Sequence, residues 1–69
     1  MMTFQPGEIV KAGHFGVTLS NKGQEKIELQ RGELMTILKI SWYGDHVKVL
    51  STKGQGWTHI RDCDRLTKA

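Results

Sequence analysis

The chain has 69 residues, of which 38% are hydrophobic and 25% are charged, a composition typical of one small soluble domain. Its single cysteine excludes an internal disulfide framework and a cysteine zinc site, and no apolar run approaches the ~20 residues of a membrane helix. The net charge of +3 lies entirely in residues 35–69, and this asymmetry favours an anionic partner.

The N-terminal residues carry neither the basic nor the apolar segment of a secretory signal peptide. Together with the lone Cys63, this predicts a protein of the reducing cytoplasm, without membrane association. We expect one domain over residues 1–69, with loosely ordered ends at 1–5 and 67–69.

Glycine and other turn-forming residues interrupt the chain at short intervals, and the segments between them are rich in β-branched and aromatic residues. This spacing predicts an all-β fold of five or six short strands. Closure into a barrel is expected, since it removes exposed strand edges.

In the first half of the chain, strands are predicted at 8–12 and 26–29, and segment 15–19 is either a half-buried strand or the arm of an extended loop. Phe15, Val17 and Leu19 alternate with small or polar residues, which predicts that their side chains share one face. The glycines of segment 13–16 are too weak a signal for a phosphate-binding loop, because neither a helix nor a lysine follows. A bent strand or a wide loop is expected there.

The longest apolar run is segment 34–43. Both of its alternating faces are partly apolar, so the pattern does not fix the register, and a bulge is one solution. A helix is the rival interpretation, but the Ile and Thr content and the flanking Gly32 and Gly44 favour a strand.

The second half continues with predicted strands at 46–50 and 57–60. A short 3₁₀ turn is expected near 61–64, and residues 65–66 form a final strand.

Three segments in this half carry a resemblance to a known family. Segment 27–38 is similar to an "apolar-x-Leu-x-x-Gly" diverging turn that leads into a long strand, and segment 54–60 is similar to a "Gly-x-x-Gly-Trp" strand. With segment 42–49 between them, residues 26–66 resemble an SH3-like barrel, particularly of the bacterial kind. The resemblance implies an SH3-like fold and recognition of another protein.

The chain also departs from that family's pattern. The early Ala-x-x-x-Tyr motif and the paired tryptophans of proline-binding SH3 domains are absent, and His59 replaces the C-terminal proline. Proline-rich peptide binding is therefore not expected. Cell-wall binding, common among bacterial relatives, would need an export signal.

Strand alternation predicts a binding patch. If Val47, Val49 and Ile60 point inward, the polar and aromatic side chains between them point outward on two paired strands. The outward residues are then His46, Lys48, Trp57, His59 and Arg61. Three residues extend the patch at its ends, namely Lys53, Trp42 and Tyr43.

Exposed Trp, Tyr and Arg are enriched at protein–protein hot spots, and an aromatic among cations can also stack a nucleobase. We expect a non-enzymatic module that recognises a protein, with nucleic acid as the alternative partner. A regulatory or accessory protein of a phage or mobile element fits this size, and a homo-oligomer is a further option. Trp57 could instead cover the open end of the barrel as part of the core.

No catalytic or metal site can be assembled from the sequence, and no cofactor is expected. The three histidines are dispersed without a metal-binding spacing, and Cys63 lies between Asp62 and Asp64, which disfavour a thiolate. The two carboxylates are expected to cap the short turn.

Overall fold

The computed structural model describes residues 4–23 and 26–66, and it shows an all-β fold. The described strands are β1 (Ile9–Ala12), β2 (Val17–Leu19), β3 (Ile27–Leu29), β4 (Leu34–Ile40), β5 (His46–Ser51), β6 (Gly54–His59) and β7 (Cys63–Arg65). A 3₁₀ helix, η1, spans Ile60–Asp62. The all-β prediction is confirmed, with seven strands rather than five or six and with the 3₁₀ turn one residue earlier than expected.

The strands form two antiparallel sheets. The larger has the order β6-β5-β4-β1-β7, and the smaller pairs β2 with β3. A bridge between Ser20 and Trp57, with two backbone hydrogen bonds of 2.9 Å, joins β2 to the edge of β6. Within the described ranges the ladders do not close into a barrel.

The core between the sheets is aliphatic. Its buried residues are Val10, Ala12, Val17, Leu19, Leu29, Met35, Ile37, Val47, Val49 and Cys63. No Phe, Trp or Tyr of the described residues belongs to this set. The aromatic side chains of this chain are therefore left for the periphery and the surface.

Strand β4, whose register the sequence pattern did not fix, contains a β-bulge. Its pairing with β5 shifts between Ile37 and Lys39, so Leu38 is the extra residue. Met35 and Ile37 are buried before the shift, and Ile40 packs against the core after it. The bulge thus keeps an apolar side chain inward on both sides of Leu38.

The prediction that Phe15 shares a face with Val17 and Leu19 is wrong. Val17 and Leu19 are buried, whereas Phe15 is 96% exposed. Gly16 has a φ of +79°, so the chain turns there and the alternation does not extend back to Phe15.

The N-terminal segment is tied to the larger sheet. The Arg65 guanidinium lies 4.6 Å from the centre of the Phe4 ring, and Arg65 Nη1 donates to Glu8 Oε2 at 2.7 Å. Residues 4 and 5 thus precede β1 with defined contacts; the rest of the expected loose ends, 1–3 and 67–69, lies outside the described residues.

Candidate functional site

The β5–β6 hairpin has the alternation that the sequence predicts. Val47 and Val49 are fully buried, and the residues between and beside them face away from the core. Lys48 pairs directly with Trp57, and His46 pairs with His59. Directly paired residues lie on the same face of a sheet, so these four side chains share the outer face of the hairpin.

Arg61 does not continue this row. The strand ends at His59, and Arg61 is an exposed residue of η1, so strand alternation does not set its direction. Its backbone N–H donates to Nδ1 of His59 at 3.1 Å, which makes His59 the N-cap of the 3₁₀ helix. Ile60, the expected inward anchor, also belongs to η1 and packs against the edge of the core.

An open groove of about 430 Å³ runs between the outer face of the hairpin and the β1–β2 connection. Its lining residues are Phe15, Gly16, Thr18, Ser20, His46, Trp57, Thr58, His59 and Asp62. Trp57 is half-buried here, and its backbone pairs with Ser20, which follows β2. It is neither a core residue nor a freely exposed one.

Phe15 forms one wall of the groove, and sequence reasoning missed it. The close approach of Gly16 to the backbone carbonyl of Leu29, where a Cβ atom would lie 2.6 Å from the oxygen, holds the turn against β3. An aromatic residue bracketed by Gly13 and Gly16 was the available signal, since such a turn leaves no strand face on which to bury it.

The two groove histidines are close together. The ring centroids of His46 and His59 are 5.0 Å apart at an interplanar angle of 62°. Nδ1 of His46 lies 3.0 Å from Oδ1 of Asp45, and this hydrogen bond is the main cause that lowers the pKa of the Asp45 carboxyl.

The β4–β5 turn presents Trp42 and Tyr43 beside this end of the hairpin. They are 92% and 84% exposed, respectively. The turn beneath them is held by the Ser41 hydroxyl, which donates to Asp45 at 3.3 Å and accepts from the His46 N–H at 3.2 Å. Both aromatic side chains are therefore displayed on a turn that is already ordered.

Lys53 lies at the other end of the hairpin, away from the groove. Its Nζ atom donates to Glu33 Oε2 at 3.0 Å and approaches the carbonyl of Glu28 at 3.5 Å. It lines a second depression of about 440 Å³ with His14 and Arg31, and the Phe15 turn borders both depressions. The structure thus separates Lys53 from the predicted patch.

A row of cations crosses the outer face next to the groove. Lys39 of β4 pairs with Lys48 of β5, which pairs in turn with Trp57. Two lysines directly opposite each other repel, so this row is a place where a negatively charged group would be stabilising.

Cys63 is a buried free thiol between two aspartates. Burial raises the pKa of the Cys63 thiol to about 11, with further contributions from the charges of Asp62 and Asp64. The described part of the chain brings together no three His, Cys, Asp or Glu side chains that could hold a metal ion.

Comparison with known proteins returns no match, since no family model, no curated protein and no solved structure is significantly similar to this chain. Among residues 4–23 and 26–66, no helix is long and apolar enough to cross a membrane.

Proposed function

We propose that this protein is a small non-enzymatic binding module of the SH3-like kind, which recognises another protein. The proposed recognition surface consists of the groove between Phe15 and the β5–β6 hairpin together with the β4–β5 turn. The order of the last four strands, with a 3₁₀ helix between β6 and β7, supports the SH3-like assignment. A cytoplasmic, regulatory or accessory role is part of the proposal, supported by the single reduced thiol of Cys63.

The observation that carries the proposal is that most aromatic side chains of this chain lie at its surface. Of the five Phe, Trp and Tyr residues, three are at least 84% exposed, namely Phe15, Trp42 and Tyr43. A domain this small needs apolar residues for its core, so exposing three of them lowers its stability. Aromatic side chains at the surface are the typical anchors of protein interfaces.

The charge of the groove favours a protein over a nucleic acid. Asp62 lines the groove, and Asp45 lies against His46 at its end. Both carboxylates would repel a phosphate backbone. A protein surface with apolar anchors and hydrogen-bonding groups carries no such penalty.

Affinity capture with matched variants tests the proposal. The tagged protein is incubated with native lysate, with and without nuclease, and the retained proteins are compared between wild type and Phe15→Ser. Because Phe15 is almost fully exposed, its replacement should leave the melting curve unchanged and remove the specific partner.

Leu34→Ser is the control variant, since Leu34 is an apolar residue that is 56% exposed on β4 and does not line the groove. It should retain the partner. Equal retention by wild type and Phe15→Ser would show that the groove is not the recognition surface.

A single-stranded nucleic acid is the second candidate, and the Lys39–Lys48–Trp57 row favours it. Each phosphate contact releases a counterion, so with the two lysines of the row engaged, affinity for a single strand should fall about sevenfold between 50 and 200 mM salt. A fluorescent oligonucleotide titrated at both salt concentrations measures this. Absence of binding at low salt would remove the candidate.

A further inference from the structure

We infer that the groove binds an amide group of its partner through paired histidines, with His59 donating to the amide oxygen and His46 accepting from the amide N–H. The inference rests on the proposed function, because it names the chemistry that the same groove recognises.

The tautomer of His59 follows from its capping role. The backbone N–H of Arg61 can only donate, so Nδ1 of His59 must be the acceptor in their 3.1 Å hydrogen bond. A neutral imidazole that accepts through Nδ1 carries its proton on Nε2. His59 therefore offers the groove a donor.

The tautomer of His46 is the opposite one. Its Nδ1 atom lies 3.0 Å from the carboxylate of Asp45, and an ionised carboxylate can only accept. An aspartate is ionised at neutral pH, and the hydrogen bond with His46 lowers the pKa of Asp45 further. In the neutral ring, Nδ1 of His46 thus carries the proton, and its Nε2 atom is an acceptor on the groove side of the pair.

The two offered atoms belong to rings that are directly paired across β5 and β6, with centroids 5.0 Å apart. Both rings line the groove, and among the described residues neither Nε2 atom has a hydrogen-bond partner. A ligand that satisfies both must present a C=O and an N–H side by side. A carboxylate fails, because it has no proton to donate.

Two protein groups present such an edge. One is the primary carboxamide of an Asn or Gln side chain, and the other is a single residue of an extended backbone, whose own N–H and C=O point to the same side. The half-buried Trp57, beside His59 on the same strand face, gives an apolar contact for whatever flanks the amide.

The first experiment measures the tautomers. Long-range ¹H–¹⁵N correlation spectra at neutral pH should show the Nε2–H form for His59 and the Nδ1–H form for His46. Finding the same tautomer in both rings would overturn the inference, because the donor–acceptor pair would not exist.

The second experiment titrates small probes and follows the imidazole ¹⁵N signals. Acetamide, which mimics Asn or Gln, and N-acetylalanine N′-methylamide, which mimics an extended residue, should shift both groove histidines. Acetate, which matches acetamide in shape, and N,N-dimethylacetamide, which keeps the amide carbonyl, should not, because both lack the N–H. The larger of the two amide responses identifies the source of the group.

His14 is the internal control for these titrations. It is also held through Nδ1, by Arg31 at 3.1 Å, but it does not line the groove. Equal shifts at His14, or equal shifts from acetate, would overturn the inference. A stronger response to 1-methylcytosine, whose edge also pairs a donor with an acceptor, would overturn it in favour of a nucleobase.

Variants then separate this inference from the proposed function. His46→Phe removes the acceptor and keeps a ring, so partner affinity should fall about three- to tenfold, while His14→Phe should bind as wild type does. If Phe15→Ser abolishes partner binding and His46→Phe leaves it unchanged, the inference of amide recognition is overturned. The proposal of a protein-binding groove would still stand. Amide shifts without any captured partner would support the amide chemistry and count against the proposed function.

Discussion

The two ends of strand β5 are built alike and differ in what they expose. At each end a serine hydroxyl closes the turn. Ser41 donates to Asp45 and accepts from the next strand, and Ser51 donates to the carbonyl of Gly54 and accepts from the N–H of Lys53. The Ser41 end displays aromatic side chains and imidazoles, whereas the Ser51 end carries a lysine.

The difference lies in where the polar and apolar groups find partners. Lys53 is paired within the molecule, with Glu33 at 3.0 Å, so its charge is used to join two turns. Trp42 and Tyr43 are 92% and 84% exposed at the other end, so the described residues leave both side chains largely open to solvent. A turn closed by a serine hydroxyl therefore supports a structural contact at one end and a candidate recognition surface at the other.

The largest expected effect separates the two ends by binding. Replacing Trp42 and Tyr43 together by Ala should weaken partner binding at least about 30-fold, which corresponds to the ~2 kcal/mol of an interface hot spot. Lys53→Ala should leave the affinity within about twofold, since a charge outside the contact adds little. Isothermal titration calorimetry with the captured partner measures both. Equal losses would mean that the contact covers the whole hairpin.

Trp57, between the two ends, gives the next largest effect, and on stability. Because the side chain is half-buried, Trp57→Ala should cost about 1–3 kcal/mol, less than the ~3–5 kcal/mol of a fully buried aromatic. A thermal melt should shift by roughly 4–8 °C for each kcal/mol in a domain of this size. Lys48→Ala, its paired neighbour, should stay within about 0.5 kcal/mol. Complete unfolding of the Trp57 variant would place the indole in the core.

The serines test the shared turn chemistry. Ser41→Ala and Ser51→Ala should each lower the free energy of unfolding by about 1 kcal/mol, because each removes a hydroxyl that both donates and accepts. Chemical denaturation compares the two. Only Ser41→Ala should also weaken partner binding, since it loosens the turn that carries Trp42 and Tyr43. A binding defect in Ser51→Ala would contradict the division between the ends.

The smallest effects are acid titrations of the two carboxylates. The pKa of Asp45 is lowered chiefly by the hydrogen bond from His46, whereas that of Glu33 is lowered first by the N–H of Gln30 and then by Lys53. Each carboxylate therefore contributes stability above its unfolded pKa, and the contribution is lost as pH falls through the folded value.

The matched variants differ accordingly. Asp45 should titrate at clearly higher pH in His46→Phe, while Glu33 should move less in Lys53→Met because Gln30 still donates to it. Carbonyl ¹³C shifts followed against pH measure both midpoints. A larger shift for Glu33 than for Asp45 would show that the ion pair with Lys53, rather than the N–H of Gln30, is the main cause of the lowered pKa of Glu33.

Much of the fold could be predicted because turn residues and alternation are local. The glycines and the Val-rich segments place the strands within a few residues, and alternation about Val47 and Val49 places His46, Lys48, Trp57 and His59 on one face. Alternation failed where a strand ended. Extending the alternation past His59 placed Arg61 in the outer row, although the backbone enters a 3₁₀ helix at Ile60.

The sequence alone determined the all-β class, the hairpin face and the absence of a disulfide framework, since these depend on residue type and on neighbours along the chain. Only the tertiary structure decided that Phe15 faces the groove, that Lys53 pairs with Glu33, and that the bulge at Leu38 sets the register of β4. Each of these features depends on which segment, distant in the sequence, packs against the residue in question. The pattern of neighbouring side chains along the chain does not specify that segment.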